Sequence, residues 1–203
     1  MGFHISWLAV RGKSATDVLA ELSLEGSDES GLYPESDVDG IELPTGWYMV
    51  HFNRPEPPEL SDSVLARLSQ QVEVVSCVVE EGAMVSLASC FINGTKKWSV
   101  EHDADQGLRH LDAVGSLPSE YEHIREHLLA ELNADPNPCD YLFDVPAELV
   151  KGITGYRHDQ VREDEESNLF MKLVRIPKPT AKQPPVIAPP SPQPVIKPWW
   201  KVW

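Results

Sequence analysis

Apolar, β-rich runs separated by glycine and proline predict a chain built largely of strands. The clearest is a hairpin around Asn93-Gly94, the preferred dipeptide for a two-residue type I′ turn. After it, Trp98 and Val100 alternate with polar residues, as a half-exposed antiparallel strand requires. The runs together predict strands over Phe3–Val10, Trp47–Asn53, Val72–Val79, Met84–Ile92, Lys96–Glu101 and Leu169–Ile176.

Helical spacing of apolar residues appears in four other places. The predicted helices begin near Ser14, at Ser61, at Pro118 and at Pro146, the first two with a serine cap and the last with proline in the first turn. We therefore expect an α+β fold: a mainly antiparallel sheet of about five or six strands with helices packed against it.

The stretch from Glu25 to Glu42 lacks either period and is rich in acidic residues and glycine. It is predicted to be a long acidic loop, and a loop of that length in a compact domain is usually functional or mobile. Its carboxylates are the first candidate contact surface for a partner: Glu25, Asp28, Glu29, Glu35, Asp37, Asp39 and Glu42.

The composition changes sharply after residue 176. Half of the 18 prolines lie between Pro177 and Pro198, and the chain ends in a cluster of tryptophans. The expected organisation is one acidic α+β domain, residues 1–176, followed by a proline-rich basic tail, residues 177–203, that is disordered or polyproline-II-like. Because tryptophan is common at binding hot spots, the tip supplies three more candidate contacts: Trp199, Trp200 and Trp203.

The charge narrows the class of partner. The formal net charge is −15, and all 32 acidic residues lie at or before Glu166. Such a body repels phosphate and attracts cationic molecules, so a basic protein is the expected partner and nucleic acid is not.

No apolar run has the roughly 18 residues that a membrane helix needs, no secretory signal is recognisable, and three cysteines do not suggest a disulfide framework. We expect a cytoplasmic protein without membrane contact.

Two histidine clusters could carry chemistry. His123 and His127 match the inverted zinc-protease spacing, but the helical wheel turns both away from the apolar stripe, so no metal is expected there. His102, Asp103, Asp105 and His110 form a second cluster, in which imidazole and carboxylate could perform acid–base chemistry. Alternating aspartates also cap turns, and Asp103 and Asp105 are counted here as partner contacts. We predict no catalytic residue and no cofactor.

Four segments carry a resemblance: MGFHISWLAVRGK at the start, GWYMVHFNR at 46–54, WSVEHDADQGLRHLD at 98–112 and ELVKGITGYRHD at 148–159. In these the chain resembles a family of small, largely uncharacterised bacterial proteins. The resemblance implies a bacterial cytoplasmic protein and assigns no functional residue. In size and acidity the chain is also similar to the immunity proteins that bacteria keep beside secreted toxins, although no motif is shared.

The preferred hypothesis is an immunity-type protein that binds and neutralises a basic toxin domain, for example a nuclease. The first alternative is an adaptor or binding module that acts through its proline- and tryptophan-containing tail. The second alternative is a small hydrolase built on the His102 cluster.

Overall fold

The computed structural model describes residues 2–162, 164 and 167–177. Within them, one antiparallel sheet has helices packed on both faces. Its strands are β1 (His4–Arg11), β2 (Leu24–Gly31), β3 (Val38–Glu42), β4 (Tyr48–Phe52), β5 (Glu73–Glu80), β6 (Val85–Ile92), β7 (Thr95–Asp103), β8 (Asp112–Gly115) and β9 (Phe170–Arg175). The helices are α1 (Ala15–Leu22), α2 (Asp62–Leu68), α3 (Tyr121–Ala134) and α4 (Val145–Thr154).

The strands follow the order β2-β9-β3-β4-β1-β5-β6-β7-β8, and every pairing is antiparallel. Strands β5 to β8 form a meander of sequence neighbours, whereas β9 inserts between β2 and β3 near the other edge. The predicted α+β class with an antiparallel sheet is confirmed. The predicted strand number was too low, because the sheet has nine strands in the described residues.

Two of the additional strands, β2 and β3, lie inside the stretch predicted to be a long acidic loop, so that prediction was wrong. Strand β2 lacks an apolar period because it is the exposed edge of the sheet, with only its first residue buried. Strand β3 contains Gly40, where a Cβ atom would clash with the Tyr48 hydroxyl on the neighbouring strand. Glycine is required here by the close approach of another side chain. The turn that joins β2 to β3 consists only of residues 32–37.

The third additional strand, β8, consists of four residues at the opposite edge and pairs only with β7. The six predicted strands and four predicted helices are all present, with small shifts at their ends. Asn93 and Gly94 both have positive φ, 51° and 76°, as the predicted type I′ turn requires.

The two faces of the sheet are covered to different extents. One face, which carries Trp7, Met49 and Val100, packs against α3, α4 and the residues around Tyr156 and Phe170; we call it the covered face. The opposite face carries Leu8 and Val50 and packs against α1 and α2 beside β1, β4 and β9; we call it the half-open face. None of the helices in the described ranges is long and apolar enough to cross a bilayer.

Candidate functional site

The seven acids predicted to line a loop do not form one surface. Glu25, Asp28 and Glu29 are exposed along edge strand β2, and Glu29 Oε2 accepts from Lys172 Nζ at 2.9 Å. The remaining exposed members lie in the turn or at the end of β3: Glu35, Asp37 and Glu42.

Asp39 is the exception, since only 3% of the residue is exposed. Its Oδ2 accepts from the Ser36 backbone N–H at 2.8 Å, and its register partner is His51 on the covered face. Burial raises the pKa of the Asp39 carboxyl, although the Ser36 hydrogen bonds oppose that shift. A carboxylate in this position supports the fold and is not available to a partner's surface.

The His102 cluster is brought together, but around a buried ring. His102 lies on the covered face with no exposed surface. Its Nδ1 is 2.8 Å from the His110 carbonyl oxygen, and its Nε2 is 2.9 Å from Oδ2 of Asp140. A carbonyl can only accept, so Nδ1 carries a proton and Nε2 is held by the carboxyl. Neither nitrogen is free to exchange a proton with a substrate.

The two aspartates of that cluster serve the turn after β7. Asp103 Oδ1 accepts from the Asp105 N–H at 3.0 Å and Oδ2 accepts from Gln106 Nε2 at 2.9 Å, so the side chain caps a short 3-10 turn. These bonds hold the pKa of Asp103 below its usual value, with the Gln106 bond the largest cause. The Asp103 N–H in turn donates to His110 Nδ1 at 3.0 Å.

Asp140 was missed by sequence reasoning. It lies 38 residues after His102, in a proline- and asparagine-containing connection without periodicity, and only the packing of the following 3-10 turn, Tyr141–Asp144, brings it under the sheet. A weak signal existed: His102 faces the apolar side of its strand, where a buried imidazole needs a polar partner.

The other histidine pair lies where the helical wheel predicts. His123 and His127 are exposed on α3, and His127 lies 3.7 Å from Glu131 of the same helix. No group of three or more His, Cys, Asp or Glu side chains in the described part of the chain has the arrangement of a metal site. The tail contacts, Trp199, Trp200 and Trp203, lie outside the described residues.

A different surface emerges from the strand register on the half-open face. Val78, Leu87, Glu101 and Asp112 are consecutive partners across β5, β6, β7 and β8. Beside this row Ser99 is opposite Val114, which is 57% exposed. Helices α1 and α2 cover the other end of this face, and Val78 and Leu87 are left half-buried. We call these six residues the open patch: Val78, Leu87, Ser99, Glu101, Asp112 and Val114.

Glu101 and Asp112 are directly opposite each other in an antiparallel pair. Like charges in that position destabilise a sheet, and no described residue forms an ion pair with either. They line a shallow cavity of about 380 Å³ together with Gln106, His110 and Leu111. The open patch is therefore apolar on β5 and β6, and on β7 and β8 it carries two carboxylates that no described residue neutralises.

Most lysine and arginine side chains of the described residues form ion pairs away from the open patch. Arg157 is the most heavily used: its guanidinium, 8% exposed, binds Asp144, Glu148 and Asp159. Six other lysines and arginines form ion pairs with acids outside the open patch: Arg11–Glu73, Lys13–Glu21, Lys96–Asp62, Arg125–Glu122, Arg162–Asp164 and Arg175–Glu59.

No family model, no curated protein and no solved structure matches this chain. The assignment of a function therefore depends on the surface and charge of the molecule itself.

Proposed function

We propose that this protein binds and neutralises a basic protein partner through the open patch, in the manner of a bacterial immunity protein acting in the cytoplasm on a toxin domain such as a nuclease. The observation that carries the proposal is the direct pairing of Glu101 with Asp112 beside half-buried Val78 and Leu87. This surface replaces the Glu25–Glu42 stretch as the centre of the interface.

The chemistry of the patch selects its partner. A lysine or arginine inserted between the two carboxylates would convert a repulsive pair into a charge-assisted hydrogen-bonded group, and arginine can bind a carboxylate in a bidentate manner. The apolar residues Val78 and Leu87 supply area that loses water on binding. Nucleases present cationic surfaces to phosphate and so suit such a patch.

The acids along β2 and the following turn have a secondary role in this proposal. They add long-range negative potential, which steers a cationic partner and raises association rates by roughly 10–1000-fold at low salt. They do not form a contact surface of their own, because Asp39 is buried and Glu29 is paired with Lys172.

The test is affinity capture from a bacterium that carries the gene, followed by binding kinetics with the captured protein. Asp112→Lys should weaken the complex by at least tenfold, mainly through faster dissociation if the group is desolvated. The matched control is Glu126→Lys, the same charge change at an exposed position on α3. A captured nuclease should also lose activity in the presence of the wild-type protein.

Three outcomes would contradict the proposal. The captured partner could be acidic, Asp112→Lys and Glu126→Lys could have equal effects, or binding could be insensitive to salt. Loss of binding on removal of residues 178–203, with the Asp112 variant unaffected, would instead support the adaptor hypothesis.

A further inference from the structure

A groove of about 380 Å³ lies between the end of α1, the short turn Pro58–Leu60 that leads into α2, α2 itself and the end of β9. It shares no residue with the open patch. Leu22, Pro58 and Val64 contribute apolar surface to its walls. Pockets of this size commonly hold small molecules, which pack an apolar group against such walls and are oriented by a few polar side chains.

Glu59 places a carboxylate in this groove with most of its hydrogen-bonding capacity unused. The residue is 8% exposed, and its Oε1 accepts from Arg175 Nε at 2.8 Å. Its Oε2 is buried without a hydrogen-bond partner among the described residues. An ionised carboxylate offers about four acceptor sites, and a buried oxygen without a donor costs free energy. A ligand group that carries N–H donors is therefore favoured beside this carboxylate.

Arg67 supplies the opposite charge in the same groove. It lies three residues after Val64 on α2, and residues with that spacing are neighbours on a helix surface, so the guanidinium is next to the apolar wall. No described residue forms an ion pair with it, and its Nη2 donates only a long hydrogen bond, 3.4 Å, to the Glu21 carbonyl oxygen. A guanidinium with unused N–H groups can bind a carboxylate in a bidentate manner.

The other charged side chains that line the groove are already paired. Glu21 Oε1 accepts from Lys13 Nζ at 2.6 Å, and Arg175 is bound to Glu59. A ligand with only a negative charge would leave the buried oxygen of Glu59 without a donor. A ligand with only a positive charge would meet Arg67 and Arg175 without an anion to offset them. A zwitterion satisfies both requirements.

We propose that this groove binds a free α-amino acid with an apolar side chain. The ammonium of the amino acid donates to the Glu59 carboxylate, its carboxylate accepts from Arg67, and its side chain packs against Leu22, Pro58 and Val64. An α-amino acid carries all three groups on one carbon atom, which matches a groove that offers one acid, one base and an apolar wall. The site does not depend on the proposed partner-binding function, because the open patch lies elsewhere.

Calorimetric titration of the full chain with L-leucine tests the proposal, and two analogues test the charged contacts on the wild-type protein. Isocaproate lacks the ammonium and isoamylamine lacks the carboxylate, while both keep the branched apolar group. Leucine should bind, and each analogue should bind at least tenfold more weakly, because each loses a charge-assisted hydrogen bond. Isocaproate or isoamylamine binding as tightly as leucine would overturn the proposal, and so would the absence of leucine binding at millimolar concentration.

Two variants test the protein side of the same contacts. Glu59→Gln and Arg67→Gln each remove one charge from the groove and should weaken leucine binding at least tenfold. Glu29→Gln and Arg125→Gln are the matched controls, because they remove the same charges from ion pairs outside the groove and should leave leucine affinity unchanged. An equal loss of affinity in variants and controls contradicts the assignment. Thermal melts identify any variant that has lost its fold, and for such a variant the analogue series on the wild-type protein decides.

Discussion

Glu101 and His102 are neighbours on β7, yet they lie in opposite environments. His102 points to the covered face, where it has no exposed surface and both ring nitrogens have partners. Glu101 points to the half-open face, where it is opposite Asp112 and forms no ion pair with a described residue. The sheet therefore places two adjacent polar side chains on opposite faces. His102 stabilises the fold, and Glu101 is left available for binding.

A cluster of ionisable residues can serve as a binding site only if its side chains point toward solvent and not into the core. His102, Asp103 and His110 are close in space, but their bonds satisfy one another and the backbone. No described residue forms an ion pair with Glu101 or Asp112, and Asp112 is exposed, so a partner can reach this pair. Mutations on the two faces should thus differ strongly in their effect on stability.

The largest effect is expected at Asp140. Asp140→Ala leaves Nε2 of buried His102 without its partner, and an unsatisfied buried polar group costs about 1–3 kcal/mol. Urea denaturation at pH 7.5 measures the loss. Asp112→Ala is the control from the half-open face and should change stability by less than about 0.5 kcal/mol. Equal effects of the two variants would contradict the distinction between the faces.

Low pH should reduce the free energy of unfolding because His51 is buried on the covered face. Burial lowers the pKa of His51 to about 3, with the neighbouring His158 a smaller cause, whereas the unfolded state titrates near about 6.5. A depressed histidine pKa contributes stability that is complete above the unfolded value and is lost as pH falls. Between pH 7.5 and 5 the loss from this group is about 2 kcal/mol.

His51→Phe isolates that contribution. The difference in unfolding free energy between wild type and variant should fall by the same amount over this pH range, as measured by urea denaturation at each pH. A parallel series with His127→Phe, the same substitution at an exposed position on α3, is the control. A pH-independent difference for His51→Phe would show that this imidazole is not held neutral by burial.

A matched pair of valines gives a smaller effect. Val100 on β7 is fully buried on the covered face, and Val114 on the adjacent β8 is 57% exposed. Truncation of Val100 to alanine should cost about 1.5 kcal/mol, from two buried carbon groups at about 0.8 kcal/mol each. Val114→Ala should lie within about 0.5 kcal/mol of wild type by the same measurement. A large loss at Val114 would mean that the open patch is packed in solution.

The smallest expected change in stability is an increase. Asp112→Lys replaces a like-charge pair with an attractive one opposite Glu101, and cross-strand pairs of this kind contribute roughly 0.2–1 kcal/mol. The variant should therefore be slightly more stable in thermal melts at low salt and lose that gain at high salt. A destabilised variant would contradict the repulsion between Asp112 and Glu101. Greater stability with weaker partner binding is the combination that supports the proposed function.

Much of the fold was predictable because it depends on local pattern. The Asn93-Gly94 turn, the alternation through Trp98 and Val100, and the apolar stripe of α3 each appear in the residues themselves, and each predicted element is present. The net charge also belongs to the sequence, and with it the sign of a partner that such a body attracts.

Tertiary structure decided the rest, since it depends on contacts between distant residues. Strand β2 is polar throughout its exposed length and becomes a strand only because β9, some 140 residues later, pairs with it. Asp39 appeared to be a surface acid until β4 and β9 enclosed it. Asp140 joined His102 across 38 residues, and Asp112 came opposite Glu101 through a four-residue strand too short to leave a periodic signal. Local sequence specifies which groups are present and how each strand alternates, whereas which face is closed, and so which carboxylates remain free to bind, is set by packing between elements.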